Sequence, residues 1–391
     1  MRIVDICAFY TPAGGGVKTY VERKLQAARP GCEEVIIVAP GKSETTIGHS
    51  AAGRIMTIPG PTLPVDRRYR YFNDEPALHA LLDRLDPDVV EVSSPWGSPA
   101  MVARWPGRAL RSLVMHADPL SAYAYRWFGG IASRGNIDRG FEFFWRHLRR
   151  LDQQFDIVVS AGASLTGRLA AGGMRKVRTL PMGVAPGIFT PALRDEQLRA
   201  RLLTRCGLDS NATLLIGLGR LAPEKRWPMV IEAVAAAGYG HPLGLVLFGN
   251  GRERARVIRA AANNPHVQLL APITDRHELA TVLASADALV HGCEAETFCM
   301  VAAEAKASGL PLIVPNDGGA SDQFVRGQGE VYEACSSSSL AEAIGSFMLS
   351  DPKLQRRQAT ASAATVGSMD THFARLFETY ASAMRSPASA A

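Results

Sequence analysis

Short apolar runs alternate with amphipathic segments along most of the chain. In the first half the runs are rich in Val and Ile and end at turn residues, which predicts buried parallel strands. They cover residues 3–9, 35–39, 54–58, 88–92, 112–116 and 157–160. Segments with a helical spacing of apolar residues, such as residues 77–85, lie between them. This alternation predicts a parallel sheet with helices on both faces.

The pattern is interrupted by a Pro- and Gly-rich stretch, residues 181–191, and then repeats. A charged helix predicted at residues 194–206 follows the stretch, as expected of an interdomain connection. The apolar runs of the second half are residues 214–219, 245–249, 267–270, 288–291 and 312–315. We therefore predict two Rossmann-like, doubly wound α/β domains, residues 1–185 and 186–368, and a final amphipathic helix within residues 369–391.

A helix-forming segment of the second half carries two carboxylates. Glu296 and Glu304 have seven residues between them, and the segment stops at Ser308 and Gly309. With Glu296 at the start of the helix, about 12 Å of helix axis separates the two side chains. That distance suits a ligand with two polyol ends, such as a nucleotide sugar, and a helix start favours a phosphate. A surface helix with two solvated carboxylates is the alternative, and the spacing alone supports both equally.

Glycine and charged clusters follow other predicted strands of the second half. They are Gly219 with Arg220, Glu224 and Lys225, then Gly249 with Gly251, and lastly Gly318 with Gly319. Ligands of doubly wound sheets lie beyond the carboxyl ends of the strands. At that edge Arg220 can grip a diphosphate bidentately while Lys225 acts as a point charge. Each cluster alone is equally well explained as a turn or a surface charge, but together they favour a phosphate site.

Two further candidates follow strands of the first half. Gly14, Gly15 and Gly16 precede a predicted amphipathic helix, where their backbone can approach an anion. Their spacing differs from the G-x-G-x-x-G dinucleotide fingerprint, so NAD binding is not supported, and a tight turn explains them equally well. His116 ends a strand, which makes it a site candidate, although a lone histidine is as often structural.

Composition narrows the class of partner. The 391 residues carry a formal net charge of +6, a diffuse basicity compatible with phosphate substrates or an anionic membrane. No pattern typical of nucleic-acid binding occurs. The six cysteines form no C-x-x-C pair, so we expect free thiols in a reducing cytoplasm and no metal site. The strand-like start and the lack of about 18 successive apolar residues predict a protein with neither a signal peptide nor a spanning helix.

Two segments mix aromatic and basic residues. One runs from Arg67 to Phe72 and the other from Phe141 to Arg150. As a helix, the second would place its aromatic residues on one face with arginines around them, as in helices that lie on anionic membranes. Packing of this aromatic face into the first domain is the alternative and is somewhat favoured.

Taken in order, these motifs resemble the family-4 retaining glycosyltransferases of GT-B fold. The resemblance covers nearly the whole chain and rests on the glycines at 14–16, His116, Gly183, the 219–225 cluster, the Gly249 and Gly318 clusters and the Glu296/Glu304 pair. It implies two Rossmann-like domains facing a central cleft, with the last helix crossing back onto the first. It also implies a nucleotide-diphosphate-sugar donor held mainly by the second domain, with no cofactor and no required metal.

The resemblance further implies roles for individual residues. Arg220 and Lys225 would neutralise the diphosphate leaving group, Glu304 would bind the ribose hydroxyls, and Glu296 would contact hydroxyls of the transferred sugar. The other residues implied to border the donor are Gly219, Gly249, Gly251, Phe298, Cys299 and Met300. Those implied to line the reaction centre from the first domain are His116, Gly15 and Gly16.

The chain departs from the family pattern close to these residues. Thr297-Phe298-Cys299 stands where the family usually has Gly-Phe-Gly, and Arg226 stands where a glycine is frequent. Asp322 takes the place of a commoner glutamate. Side chains therefore replace hydrogens where the sugar of the donor would approach, and the resemblance does not fix which sugar is transferred.

The resemblance and the aromatic-basic segments together give an expected function. The enzyme would move a hexosyl or uronosyl group from a UDP- or GDP-sugar to a hydroxyl of a lipid or lipid-linked acceptor. It would be cytoplasmic, either free or peripheral on the inner membrane, with no nucleic-acid partner. The alternatives are a soluble glycan acceptor, a GT-B nucleotide-sugar epimerase, and an inactive scaffold subunit.

Overall fold

The computed structural model describes residues 1–11, 16–50, 52–63, 69–118 and 120–385. The chain folds into two compact units. Unit 1 comprises residues 1–120, 127–181 and 369–391, and unit 2 comprises residues 121–126 and 182–368. The division falls slightly before the predicted boundary at residue 185, and it assigns a short internal segment of the first half to unit 2.

Unit 1 is built on one large sheet. Its strands are β1 (Arg2–Ile6), β2 (Glu34–Gly41), β3 (Thr45–Ser50), β4 (Gly53–Pro59), β5 (Val89–Val92), β6 (Leu110–Met115), β7 (Ile157–Ser160) and β8 (Val177–Thr179). They lie in the order β3-β4-β2-β1-β5-β6-β7-β8. The pairings within it are parallel except that β3 runs antiparallel to β4. The predicted doubly wound sheet is confirmed.

The two strands of unit 1 that the apolar pattern does not predict, β3 and β8, are both edge strands. Ile47 in β3 is 54% exposed, and β8 has no buried residue. An edge strand with solvated faces needs no apolar run, so hydrophobic patterning carries no signal for it.

Helices flank this sheet. They are α1 (Gly16–Ala27), α2 (Glu75–Leu85), α3 (Ser98–Arg104), α4 (Tyr125–Phe128), α5 (Arg134–Gly140), α6 (Glu142–Gln154) and α7 (Ala163–Ala171). Helix α6 contains most of the second aromatic-basic segment. It buries Phe144, Trp145 and Leu148 in unit 1 and leaves Phe143 57% exposed. In the part of the chain that the structure describes, no helix combines the length and apolarity needed to cross a bilayer.

Unit 2 contains the second parallel sheet. Its strands are β9 (Thr213–Leu218), β10 (Leu243–Phe248), β11 (Val267–Leu270), β12 (Ala288–Val290), β13 (Leu312–Pro315) and β14 (Gly329–Tyr332), in the order β11-β10-β9-β12-β13-β14. Its helices are α8 (Glu196–Arg205), α9 (Trp227–Ala237), α10 (Arg254–Ala261), α11 (Arg276–Ser285), α12 (Met300–Ala307), α13 (Gly318–Ser321), α14 (Ser337–Leu349) and α15 (Pro352–Ser362).

The first and last segments of unit 2 adjoin at a glycine. The N–H of Val184 donates to the carbonyl of Gly367 over 2.9 Å. A Cβ on Gly183 would lie 2.3 Å from the same carbonyl oxygen, so only glycine fits there. Gly183 therefore has a structural reason of its own to match the family pattern.

A buried tryptophan anchors the loop after β9. Trp227 is 1% exposed and belongs to the main apolar cluster of unit 2. A Cβ on Gly217 in β9 would lie 2.8 Å from its ring, so the glycine makes room for the indole. The indole N–H donates to the carbonyl of Arg220 over 3.0 Å. The loop that carries Arg220 and Lys225 is thus tied at one end to the core.

The last helix, α16 (Met369–Arg385), belongs to unit 1, as predicted. Its Tyr380 hydroxyl donates to Glu91 over 2.7 Å, and His372 lies 3.1 Å from the hydroxyl of Tyr20. Glu91 is in turn 2.7 Å from Lys24, and both side chains are fully buried. A buried charge is stable only when it is paired and hydrogen-bonded, so this network fixes the position of α16 on the sheet.

Candidate active site

The strand order of unit 2 reverses between β9 and β12. The chain proceeds outward from β9 through β10 to β11 and then returns to the other side of β9 with β12. Loops that leave the two strands at a reversal point separate from each other and create the crevice in which doubly wound sheets bind ligands. The loop after β9 carries Gly219, Arg220 and Lys225, and the loop after β12 carries Glu296.

An ion pair joins these two loops. The ammonium group of Lys225 donates to Oε1 of Glu296, and the two side chains are 14% and 24% exposed. Burial opposes both charges, but Lys225 and His291 hold the pKa of Glu296 well below its usual range. Glu296 likewise raises the pKa of Lys225 above its usual value in spite of burial. Both groups are therefore charged at neutral pH.

Two more side chains complete a cluster around Glu296. Nε2 of His291 lies 3.6 Å from Oε1 of Glu296, and Sγ of Cys299 lies 3.6 Å from the same nitrogen. Burial lowers the pKa of His291 and raises that of the Cys299 thiol. The imidazole is thus neutral and the thiol protonated at neutral pH. Sequence reasoning did not select His291, although it directly follows a buried strand.

Glu296 lies outside the helix in which it was predicted. Helix α12 begins at Met300, after Cys299, whose φ of 63° is in the left-handed region. A left-handed residue cannot continue a right-handed helix, so Glu296 and Phe298 lie in the preceding loop. The predicted separation of Glu296 and Glu304 along one helix axis is therefore wrong. As a result, the Glu296 carboxylate can turn towards Lys225.

Glu304 lies on α12 and has a cationic partner of its own. Its carboxylate accepts a hydrogen bond of 2.7 Å from Arg276, and its side chain is only 5% exposed. The Arg276 guanidinium stacks 4.9 Å from the ring centroid of Phe189. The pKa of Glu304 is raised, because the effect of burial exceeds the opposite effect of Arg276. The alternative of two solvated surface carboxylates is therefore wrong for both Glu296 and Glu304.

Arg220 does not join the cluster. Its side chain is 72% exposed and lies 3.0 Å from the carboxylate of Glu224, four residues further along the chain. The other oxygen of Glu224 is 3.4 Å from Arg126. Exposed ion pairs of this kind contribute little to stability, so Arg220 can exchange Glu224 for an anionic ligand at small cost.

Two residues that depart from the family pattern, Arg226 beside Lys225 and Cys299 near Glu296, have the backbone conformation typical of glycine. Arg226 has φ 51° and Cys299 has φ 63°, a region that glycine adopts freely and other residues rarely adopt. The guanidinium of Arg226 forms two hydrogen bonds with the buried carboxylate of Glu294. Arg226 thus has the backbone conformation expected of a glycine at this position, and its side chain forms hydrogen bonds within the site. Sequence reasoning missed Glu294, whose partner is distant along the chain.

The site glycines of unit 2 allow loops to pack closely. A Cβ on Gly249 would lie 2.1 Å from the carbonyl oxygen of Gly219, and one on Gly251 would lie 2.4 Å from that of Leu221. A Cβ on Gly319 would lie 2.4 Å from the backbone nitrogen of Phe298. These contacts hold the loops after β9, β10 and β13 against the site. Donor contact by Gly219, Gly249, Gly251, Phe298, Cys299 and Met300 remains a prediction.

The described candidates of the first half, His116 and Gly16, lie in unit 1. His116 directly follows β6, and its ring meets that of Tyr20 edge-on with centroids 4.6 Å apart. Burial lowers the pKa of His116 to about 4, so its imidazole is neutral at pH 7. Gly16 is the first residue of α1. Gly14 and Gly15, like Arg67 at the start of the first aromatic-basic segment, are outside the described residues.

Comparison with known proteins identifies the family. The family model of glycosyl transferases group 1 matches residues 204–364. A GDP-mannose-dependent alpha-(1-6)-phosphatidylinositol dimannoside mannosyltransferase of Mycobacterium tuberculosis is 30% identical over 318 residues, which cover 80% of this chain and 79% of that protein. The chain belongs to the group 1 glycosyltransferases. A GDP-mannose-dependent alpha-mannosyltransferase of Mycolicibacterium smegmatis is 29% identical over 336 residues, 82% of this chain and 81% of the relative.

Solved structures show the fold of this group 1 glycosyltransferase. Sucrose-phosphate synthase from Thermosynechococcus elongatus superposes with a TM-score of 0.76 at 17% identity, covering 97% of this chain and 98% of the synthase. Anabaena HepE, solved in complex with UDP, gives a TM-score of 0.70 at 16% identity over 98% of this chain and all of HepE (100%). The predicted GT-B class, with two doubly wound domains, is confirmed.

The left-handed backbone at Arg226 predicts an unusual ranking of two substitutions. Arg226→Gly and Arg226→Ala both remove the hydrogen bonds to Glu294, so both should unfold at lower urea concentration than the wild type. We expect Arg226→Gly to be the more stable of the two by about 1 kcal/mol, because only glycine adopts this backbone without strain. Urea unfolding followed by circular dichroism measures the difference. An alanine variant at least as stable as the glycine variant would contradict the left-handed conformation.

Proposed function

We propose that the chain is a retaining mannosyltransferase that uses GDP-mannose and a lipid-linked acceptor hydroxyl, with no requirement for a metal ion. The Lys225–Glu296 pair at the reversal point of the unit 2 sheet is the observation that carries the proposal. The relatives named as GDP-mannose-dependent mannosyltransferases support the donor, and the one named for phosphatidylinositol dimannoside supports a glycolipid acceptor.

Cations beside the leaving group supply the main stabilisation. Cleavage of the bond between sugar and diphosphate builds negative charge on the leaving oxygen, and a fixed cation nearby stabilises that charge most where water is scarce. Lys225 is charged and largely buried. Arg220, held only by an exposed ion pair, would turn from Glu224 to the diphosphate and grip it bidentately.

Glu296 is suited to bind hydroxyl groups and poorly suited to remove protons. A general base works best when its pKa is close to the working pH, whereas Lys225 and His291 hold the pKa of Glu296 far lower. An ionised carboxylate of this kind accepts strong hydrogen bonds from sugar hydroxyls. His116, with its pKa lowered to about 4 by burial, is also a weak base at neutral pH.

The weak basicity of Glu296 and His116 is compatible with the proposed retention, because attack from the face of the leaving group needs no separate base. We infer that the acceptor attacks from the face of the departing diphosphate and that its proton passes to a leaving phosphate oxygen. Glu296 then orients the sugar, and Lys225 shifts part of its interaction to the phosphate as charge develops. Glu304 would accept hydrogen bonds from the ribose hydroxyls in place of part of its hydrogen bonding with Arg276.

An exposed aromatic patch on unit 1 supports a membrane-bound acceptor. Phe128, Ile131 and Phe143 are 39%, 84% and 57% exposed, and the ring of Phe141 lies within 6.1 Å of those of Phe128 and Phe143. Arg146 and Arg150 are exposed on the same helix as Phe143. An apolar patch with arginines beside it has the composition of a surface that docks on anionic lipid.

Two arginines in matching settings test the donor site. Arg220 and Arg256 are both exposed on unit 2, and each forms an ion pair with a glutamate three or four residues away in the sequence. We expect Arg220→Ala to lower kcat/KM for GDP-mannose about 100-fold, since it removes a cation from the transition state. Arg256→Ala should retain wild-type activity. The assay is GDP release from GDP-mannose in the presence of a mycobacterial lipid extract, with UDP-glucose as the comparison donor.

Equal rates for the Arg220 and Arg256 variants would contradict the assigned role of Arg220. GDP release that is independent of acceptor would favour the epimerase or a hydrolase. A wild type that binds neither GDP nor UDP would leave only the scaffold alternative.

A second experiment tests the lipid acceptor. The full chain should sediment with vesicles containing anionic phosphatidylinositol at low salt and detach as salt is raised, because arginines supply part of the attraction. We expect the double change Ile131→Ser and Phe143→Ser to reduce the bound fraction several-fold. Leu349→Ser, which removes a 78% exposed side chain from unit 2, should have no effect. Wild-type protein that stays in the supernatant at every salt concentration would favour a soluble acceptor.

A further inference from the structure

Three side chains beside Lys225 form an arrangement that the proposed transfer reaction does not require. Among the described residues, His291, Glu296 and Cys299 are the group whose nitrogen, oxygen and sulfur atoms converge as metal ligands do, all within 4.8 Å of one another. His291 and Cys299 are 1% and 2% exposed. Neither the donor nor the leaving group needs a thiol at this point.

The two distances from His291 agree with a tetrahedral centre. Ligand atoms of a zinc site stand about 2.0–2.3 Å from the metal, which separates them from one another by about 3.3–3.6 Å. Nε2 of His291 is 3.6 Å from Sγ of Cys299 and 3.6 Å from Oε1 of Glu296. Nδ1 of His291 finds no hydrogen-bond partner within the described part of the chain, so it can carry the ring proton while Nε2 binds a metal.

The thiol of Cys299 is unusual for the family, which usually has glycine at this position. Cys299 keeps the left-handed backbone expected of that glycine, and its side chain is directed at His291. A soft thiolate, an imidazole and a carboxylate with an open fourth position are a donor set that selects Zn²⁺ over Mg²⁺ or Ca²⁺.

We propose that His291, Glu296 and Cys299 form an inhibitory site for Zn²⁺ or a similar soft divalent cation. Binding would release the thiol proton of Cys299 to solvent and involve no redox step. The ion would compete with Lys225 for Oε1 of Glu296, the oxygen that both the ammonium group and the imidazole of His291 face. Glu296 could then no longer bind the sugar, which makes the ion an inhibitor. Metal binding stands independently of the proposed mannosyl transfer; only the inhibition rests on it.

Cobalt reports directly on the thiolate ligand. The metal-free full chain is titrated with Co²⁺ in the absence of any nucleotide, and absorption is recorded. We expect one ion per chain, with a near-ultraviolet thiolate-to-cobalt charge-transfer band. Cys299→Ser should abolish the band and weaken Zn²⁺ binding about 100-fold or more, since loss of even an outer-shell partner costs 10–100-fold. Cys206→Ser, which changes another buried thiol of unit 2, should keep both the charge-transfer band and the wild-type affinity for Zn²⁺.

Two results would overturn the proposal. One is a wild-type chain without the charge-transfer band, and the other is a band that persists in Cys299→Ser. Circular dichroism confirms that each variant folds, and Cys299→Gly serves as a second variant because glycine adopts the same backbone. Inhibition is measured separately, as the loss of GDP release on adding Zn²⁺ relative to each variant's own metal-free rate. An active enzyme that binds Co²⁺ but is not inhibited by Zn²⁺ would overturn the inhibitory role, while inactivity in every condition would count against the proposed function.

Discussion

The ion pair between Lys225 and Glu296 is the interaction around which the candidate site of unit 2 is built. Each charge is disfavoured by burial and persists because the other is present. A buried pair of this kind adds little net stability, yet losing one partner leaves a costly uncompensated charge. On the proposed function, the pair keeps a cation and an anion together at one point of the crevice, where a phosphate and a sugar hydroxyl would replace their mutual contact.

Much of unit 2 serves to hold the two loops of this pair in place. Trp227 ties the loop after β9 to the core through the carbonyl of Arg220. Gly319 allows α13 to approach the loop that contains Glu296, and its N–H donates to the Glu296 carbonyl. Arg226 and Glu294 add a second ion pair between the same two loops. Positioning by packed neighbours rather than by flexible contacts is what electrostatic catalysis requires.

The sequence predicts the parts of this arrangement that depend on local pattern. Apolar runs predict the buried strands, the strand ends locate Lys225 and Glu296, and the predicted helix carries Glu304. Local pattern fails where a contact joins distant residues, as between Arg226 and Glu294 or Arg276 and Glu304. It fails as well at the start of α12, because helical propensity cannot reveal that Cys299 adopts a left-handed backbone. The sequence shows that Arg226 and Cys299 depart from the family pattern, but it does not show which residues their side chains contact.

On the proposed function, donor binding divides the Lys225–Glu296 pair between phosphate and sugar. A crystal structure of the chain with GDP and a non-transferable mannose analogue tests it most directly. We expect Lys225 within hydrogen-bond distance of a diphosphate oxygen and Glu296 within hydrogen-bond distance of a sugar hydroxyl. An intact pair that touches neither the diphosphate nor the sugar would contradict it.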